Sequence, residues 1–133
     1  MKAVDTSVVI ASFASWHESH HRALEVVATR PALPGPSARG VRGPDTTAAP
    51  HRAPAEVVRD YLAANFATSW LTLSGSTMRS VLDELTTRGI TGGATYDAII
   101  AATAREVGAT LVTCDVRARV TYERMGVVAE YLV

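Results

Sequence analysis

The chain has 133 residues, of which 47% are hydrophobic and 20% are charged. This length and composition suit one compact domain with a single core, and the chain is too short for two domains. The formal net charge is zero, so no overall field would draw the protein to RNA or to an anionic membrane. We therefore expect one domain over residues 1–133, and the balance of charge argues against a general RNA-coating protein.

The apolar segments are too short to cross a membrane. The longest runs, at residues 8–11 and 98–104, fall far below the roughly 20 residues that span a bilayer. The first residues reach the acidic Asp5 without the positive flank and long apolar core of a secretory signal. A single cysteine, Cys114, cannot form an internal disulfide. We expect a cytoplasmic protein in which Cys114 is a small buried hydrophobic residue.

Short apolar stretches alternate with helical patterns along most of the chain. The predicted elements are a strand at 2–4, a helix ending near 13, a helix at 17–29, a helix from 54 to 66, a buried strand at 70–73, a helix at 74–87, a helix at 94–107, a strand at 110–113, a helix from 115 to 125 and a strand at 127–133. This alternation predicts an α/β fold, with a central parallel sheet in a three-layer α/β/α domain. In such sheets the functional cleft lies beyond the carboxyl ends of the strands.

Residues 35–50 interrupt this pattern. Gly, Pro, Arg, Ser, Thr and Ala dominate the segment, Val41 is its only large aliphatic residue, and it contains no aromatic residue. This composition predicts an irregular segment.

Three acidic residues stand out by their positions. Asp5 follows the first strand, Asp97 lies in the first turn of the helix at 94–107, and Asp115 follows the strand at 110–113. Each alone is explained as a helix cap or as a charge at the positive end of a helix dipole. Together they converge on one edge of the sheet, where a cluster of carboxylates repels itself unless a cation such as Mg²⁺ or Mn²⁺ binds. A metal site of this kind can activate water against a phosphodiester, so the pattern predicts a metal-dependent nuclease.

Three sequence blocks resemble the signature blocks of VapC-type PIN domains, the ribonuclease toxins of type II toxin–antitoxin systems. The blocks are Val-Asp-Thr-Ser-Val-Val at 4–9, Tyr-Asp-Ala-Ile-Ile-Ala-Ala-Thr-Ala at 96–104 and Leu-Val-Thr-Cys-Asp-Val-Arg at 111–117. Their order and spacing match as well, and the resemblance covers about residues 1–33 and 50–133.

The resemblance implies a PIN fold, a Mg²⁺ or Mn²⁺ site, an RNA substrate, inhibition by a VapB-type antitoxin, and a homodimer. It implies that Asp5, Asp97 and Asp115 are the catalytic, metal-binding acids. Thr6 and Thr113 are then candidate hydroxyl ligands or orienting groups.

One family position has no counterpart. PIN domains usually carry a further acid, commonly Glu, on the helix after the second strand, and residues 35–50 occupy that place. The only acid there, Asp45, lies in a Pro-Asp-Thr turn and is a poor candidate for a precise ligand. The alternative function is therefore a catalytically impaired PIN domain that acts as an antitoxin-binding module.

The same segment suggests an error of reading frame. A helix lost from this place would remove about four buried aliphatic side chains at roughly 1.5–3 kcal/mol each. Read from the second base of each codon, the junction of Gly40 and Val41 permits a glutamate codon, and residues 44–49 permit Leu-Thr-Arg-Leu-Pro. We predict that two compensating single-base changes have placed residues 35–50 out of frame.

Other candidate groups have ordinary explanations. Arg117 and Arg119 follow Asp115 and either contact RNA phosphates or solvate their helix, as does Arg124. Histidines at 17, 20 and 21 have helical spacing that could hold a transition metal, but a hydrated polar face is favoured. A receiver domain would need a late lysine, and a haloacid-dehalogenase-like phosphatase would need Asp-x-Asp where residues 5–7 read Asp-Thr-Ser. Neither class fits.

Overall fold

The computed structural model describes residues 1–41, 53–66 and 70–132. The strands are β1 (Lys2–Val4), β2 (Leu33–Pro34), β3 (Trp70–Leu71), β4 (Thr110–Thr113) and β5 (Ala129–Tyr131). The helices are α1 (Thr6–Phe13), α2 (His20–Ala28), α3 (Gly35–Val41), α4 (Ala55–Asn65), α5 (Gly75–Arg88), α6 (Ala94–Glu106) and α7 (Arg119–Met125), with a short 3-10 helix (Val116–Ala118) before α7.

All strand pairs run parallel. Strand β4 lies between β1 and β5, with Leu111 opposite both Ala3 and Ala129. Strand β2 pairs with β3, and a bridge between Ala3 and Ala32 joins β2 to β1. The strands therefore follow the order β3-β2-β1-β4-β5, which confirms the predicted parallel sheet.

Successive residues of β1 and β4 face opposite sides of the sheet, because side chains alternate along a strand. Ala3 and Leu111 belong to one buried core cluster, and Val4 and Val112 belong to the other. Helices α5, α6 and α7 contribute to the first cluster, and α1, α2, α3 and α4 contribute to the second. The result is the predicted three-layer α/β/α architecture.

The prediction of an irregular segment at 35–50 is wrong for residues 35–41, which form α3. Ala38 is 4% exposed and packs in the second core cluster. Pro36 lies in the first turn, where the missing N–H breaks no helical hydrogen bond. Helix α3 packs against α1 and α6, and this packing overrides a composition that is typical of loops. Residues 42–50, including Asp45, lie outside the described residues.

Two further predictions were wrong in detail. The strand predicted at 70–73 is limited to Trp70–Leu71, and Trp70 is 48% exposed because β3 pairs only with β2 among the described strands. The helix predicted from residue 17 begins at His20. Across the three described ranges, no helix has the length and apolarity needed to cross a membrane.

Candidate active site

The fold brings the three predicted acids to one place. Asp5 directly follows β1 and caps α1, where its Oδ1 accepts the Val8 backbone N–H at 3.3 Å. Asp115 lies just after β4 and accepts the Arg117 backbone N–H at 2.9 Å. Asp97 lies in the first turn of α6. Because β1 and β4 are parallel neighbours, their carboxyl ends share an edge, and all three acids line one cleft of about 500 Å³.

Helix α1 and the turn that follows it supply another part of this cleft. The remaining lining residues are Thr6, Ser7, Ile10, Trp16, His17, Cys114 and Arg117. The cleft therefore combines acidic, basic, hydroxyl and aromatic groups.

The Asp5 carboxylate is held by hydrogen bonds on both oxygens. Its side chain is 3% exposed, its Oδ1 accepts from the Ser7 hydroxyl, and its Oδ2 accepts from the Tyr122 hydroxyl at 2.7 Å. Burial raises the pKa of Asp5, and these hydrogen bonds oppose that rise. Burial and the neighbouring charge of Asp5 raise the pKa of Tyr122, so the phenol remains a donor at neutral pH. The orientation of Asp5 is therefore fixed by its own fold.

Two hydroxyl groups join the ends of β1 and β4. The Ser7 and Thr113 hydroxyl oxygens lie 3.3 Å apart. Ser7 accepts the backbone N–H of Cys114 at 2.8 Å, and Thr113 accepts that of Asp115 at 3.0 Å. Thr113 is fully buried. Thr6 instead donates to the backbone carbonyl of Ser37 at 3.3 Å, which ties α1 to α3.

Negative charge exceeds positive charge at the acids. Burial, followed by the charges of Asp5 and Asp115, raises the pKa of Asp97 to about 6. Arg117 opposes this shift, and its Nε lies 3.4 Å from Asp115 Oδ1, but its side chain is 91% exposed. The described residues that line the cleft thus place three carboxylates beside one exposed guanidinium, that of Arg117. This arrangement favours the binding of added positive charge.

The acids fit a hydrated divalent cation better than a closed cage. No group of three His, Cys, Asp or Glu side chains in the described ranges is close enough to hold an ion directly. Mg²⁺ usually keeps several waters and binds proteins through one or two carboxylates. Burial first, and then the charges of Asp5 and Asp115, raise the pKa of Asp97, and a cation beside the three carboxylates would offset both effects.

Other predicted candidates take different positions. Arg119 lies over the Tyr131 ring, 4.6 Å from its centroid, and is not among the residues that line the cleft. His17 lines the cleft, but its Nδ1 accepts the Ser19 backbone N–H at 3.0 Å. Cys114 was expected to be buried but is partly exposed in the cleft. Burial and the charge of Asp5 raise the pKa of Cys114 to about 11, so its thiol stays protonated at neutral pH.

Helix α3 lies at the start of the segment where the resemblance implies a further acid. Residues 35–41 contain no acidic residue. Ser37 is fully buried, and its hydroxyl is the buried side-chain oxygen in the described residues that lacks a hydrogen-bond partner. The local structure thus presents an unsatisfied hydroxyl beside the Thr6 contact.

A parallel sheet of this order, with acids gathered at its carboxyl edge, defines a PIN-type nuclease domain. The chain is 40% identical to ribonuclease VapC40 of Mycobacterium tuberculosis over 131 residues, which cover 98% of each protein. It is 38% identical to ribonuclease VapC27 of the same species over 128 residues, which cover 94% of this chain and 92% of VapC27. The chain belongs to the VapC ribonuclease family.

Solved structures agree on the fold. FitAB bound to an IR36 DNA fragment superposes with a TM-score of 0.69 and 17% identity, covering 98% of this chain and 94% of the other. FitAcB from Neisseria gonorrhoeae superposes with a TM-score of 0.64 and 17% identity, covering 97% and 96%. No general family profile matches the chain.

Proposed function

We propose that this protein is an endoribonuclease toxin that hydrolyses RNA phosphodiester bonds with Mg²⁺ or Mn²⁺ and is neutralised by a VapB-type antitoxin. The observation that carries the proposal is the shared cleft of Asp5, Asp97 and Asp115 in a chain of the VapC family. The burial of Asp97 beside the charges of Asp5 and Asp115, which together raise its pKa, supports a site that favours a bound cation.

The three acids have different roles in the proposed site. Asp5 offers a fixed carboxylate, because Tyr122 and Ser7 hold it, while Asp97 and Asp115 complete the acidic edge. When bound there, Mg²⁺ or Mn²⁺ would supply positive charge to the phosphodiester and lower the pKa of water.

Neighbouring side chains orient the site and meet the substrate. Thr113 orients Asp115 through the backbone, and Thr6 lines the cleft while it anchors α1. Arg117 has the exposure and charge to contact an RNA phosphate. Arg119 is the weaker candidate, because its guanidinium already contacts Tyr131.

Substitution of each acid tests the proposal. Asp5→Asn, Asp97→Asn and Asp115→Asn should each reduce RNA cleavage by about 1,000-fold or more, as removal of core catalytic groups commonly does. The exposed Asp83→Asn on α5 is the matched control and should cleave normally. Products should carry a 5′-phosphate and a 3′-hydroxyl. Full cleavage by the triple variant, or cleavage unaffected by EDTA, would contradict the mechanism.

The partners are tested separately. The acidic cleft suits an antitoxin segment that places a basic side chain near the carboxylates. We expect the product of an adjacent gene to co-purify with the protein and to suppress its toxicity, and the free protein to elute as a homodimer. Absence of both binding and suppression would remove the toxin–antitoxin assignment.

A second candidate function follows from α3. The lack of an acid in residues 35–41 favours a catalytically impaired domain that serves as an antitoxin-binding module. Titration with Mn²⁺ separates the two candidates, because a binding module need not bind the metal, whereas a nuclease must.

The reading-frame prediction stands beside this second candidate. Resequencing codons 33 to 52 decides it, since the shifted frame must contain a glutamate codon between Arg39 and Gly43 and no stop codon. If the prediction holds, the frame-restored protein should be more stable, bind Mn²⁺ more tightly and cleave RNA faster than this chain.

A further inference from the structure

The cleft contains an aromatic group that the proposed chemistry does not use. Trp16 lies in the turn between α1 and α2, lines the cleft with the acids, and is 50% exposed. It belongs to neither core cluster among the described residues. A large flat side chain therefore stays half in solvent beside the acids.

The turn that carries Trp16 is held by its own hydrogen bonds. The backbone N–H of Ala14 donates to Ile10 at 2.8 Å, and that of His17 donates to Ala14 at 3.0 Å. The His17 ring accepts the Ser19 backbone N–H, which closes the turn from the other side. Because the backbone on both sides of Trp16 is fixed, a ligand that contacts the indole need not order the turn first.

The surroundings select the chemistry of that ligand. Asp5, Asp97 and Asp115 repel an anionic group that approaches without a cation. A nucleobase is uncharged and presents a flat face, and stacking of a base on an aromatic side chain contributes about 1–3 kcal/mol. RNA is commonly recognised through unpaired bases that stack in this way.

We propose that Trp16 is the stacking platform for one unpaired nucleobase of RNA, next to the phosphodiester that lies at the acids. This inference rests on the proposed ribonuclease function and adds the requirement for a single-stranded nucleotide at that position. A duplex cannot satisfy it, because its bases are already stacked on one another.

The chain offers a matched control in Trp70, its only other tryptophan. Trp70 is 48% exposed, lies on β3 and is not among the cleft-lining residues. Trp70→Phe leaves Trp16 as the sole indole, so its fluorescence reports on the cleft. Trp16→Phe leaves Trp70 alone and keeps an aromatic ring at position 16.

Titration uses a short single-stranded oligoadenylate, with Ca²⁺ in place of Mg²⁺, and an abasic oligomer with the same phosphates. Oligoadenylate should quench Trp70→Phe with saturation and leave Trp16→Phe unquenched, and the abasic oligomer should quench neither. Trp16→Ala should weaken oligoadenylate binding by roughly 5–150-fold, the equivalent of one lost stack, while Trp70→Ala binds as the parent does.

Equal quenching by the abasic oligomer, or unchanged binding by Trp16→Ala, would overturn the platform. A Trp16 signal that responds to the antitoxin but not to oligoadenylate would also overturn it.

Cleavage assays keep this inference apart from the proposed function. If Asp97→Asn abolishes cleavage while Trp16→Ala cleaves and binds normally, the nuclease stands and the platform fails. If oligoadenylate quenches Trp16 but the protein cleaves no RNA, the platform stands and the nuclease fails. If both stand, Trp16→Ala should raise KM with little change in kcat, because stacking binds the substrate and the transition state alike.

Discussion

The carboxylates at the two ends of α6 have pKa values that shift in opposite directions. At its C-terminal end, Arg105 donates to both oxygens of Glu84, at 2.8 and 3.0 Å, and these hydrogen bonds lower the pKa of Glu84. At its N-terminal end, roughly 12 Å away along the helix, burial and two like charges raise the pKa of Asp97 to about 6. At the C-terminal end the charge of Glu84 is paired with Arg105, whereas at the N-terminal end the three carboxylates leave negative charge in excess. The first end therefore stabilises the fold, whereas we propose that the second end binds a cation.

The C-terminal end of α6 also joins three helices. Arg105 lies on α6 and Glu84 on α5, and the Arg105 Nη1 donates to the carbonyl of Met125, the last residue of α7, at 2.6 Å. A cation at a helix C-terminus interacts favourably with the helix dipole. The Arg105 group therefore fixes the layer that carries Asp97 and Tyr122.

Removal of that arginine should give the largest loss of stability. Arg105→Ala removes charged hydrogen bonds that commonly contribute about 1.5–3 kcal/mol, so the Tm should fall by roughly 5–15 °C. Arg88→Ala is the control, because Arg88 contacts the same Glu84 at 2.9 Å but is 46% exposed and should lose at most about 0.5 kcal/mol. Equal losses in thermal unfolding would refute the stabilising role of the C-terminal end.

Loss of the Tyr122 hydroxyl should affect the acidic end. Tyr122→Phe leaves Asp5 without its 2.7 Å donor, and loss of a group that orients a metal ligand typically weakens metal binding by roughly 10-fold or more. Mn²⁺ affinity by calorimetry and RNA cleavage should fall together. Tyr61→Phe is the matched control, since Tyr61 donates to Ser12 at 2.7 Å among residues that do not line the cleft. A control that weakens Mn²⁺ binding equally would show only a general loss of packing.

The smallest expected effect is a gain in stability with a defined pH dependence. The folded pKa of Asp97 lies above its usual value, so the folded state holds that proton more tightly than the unfolded chain does. Its contribution to stability is therefore fully present below about pH 4 and is lost as pH rises through about 6. In EDTA, Asp97→Asn should exceed the wild type at pH 8 by on the order of 1 kcal/mol, after allowance for solvent screening, and by less at pH 5. A gain that is the same at both pH values would show that Asp97 is not the titrating group.

Two of the three clustered acids could be predicted from sequence because they follow the ends of strands. Asp5 and Asp115 follow the apolar runs of β1 and β4, and parallel neighbours bring such positions together. The donor to Asp5 could not be found in this way, because Tyr122 lies 117 positions away on α7 and reads as an ordinary core residue. Trp16 gave no periodic signal because it lies in a turn.

Helix α3 shows the opposite limit. Its Gly- and Pro-rich sequence has weak helix propensity, and its helical state depends on packing of Ala38 between neighbouring elements. Local composition contains no information about that packing.

We propose that the N-terminal end of α6 is destabilised until a divalent cation binds. Thermal unfolding of the wild type and Asp97→Asn at pH 8, in EDTA and in Mn²⁺, tests it directly. We expect Asp97→Asn to be the more stable protein in EDTA and Mn²⁺ to reverse the order, because at about 100 times Kd a ligand adds about 2.7 kcal/mol to the wild type. A wild type whose Tm is unmoved by Mn²⁺, or an Asp97→Asn variant that is less stable in EDTA, would contradict it.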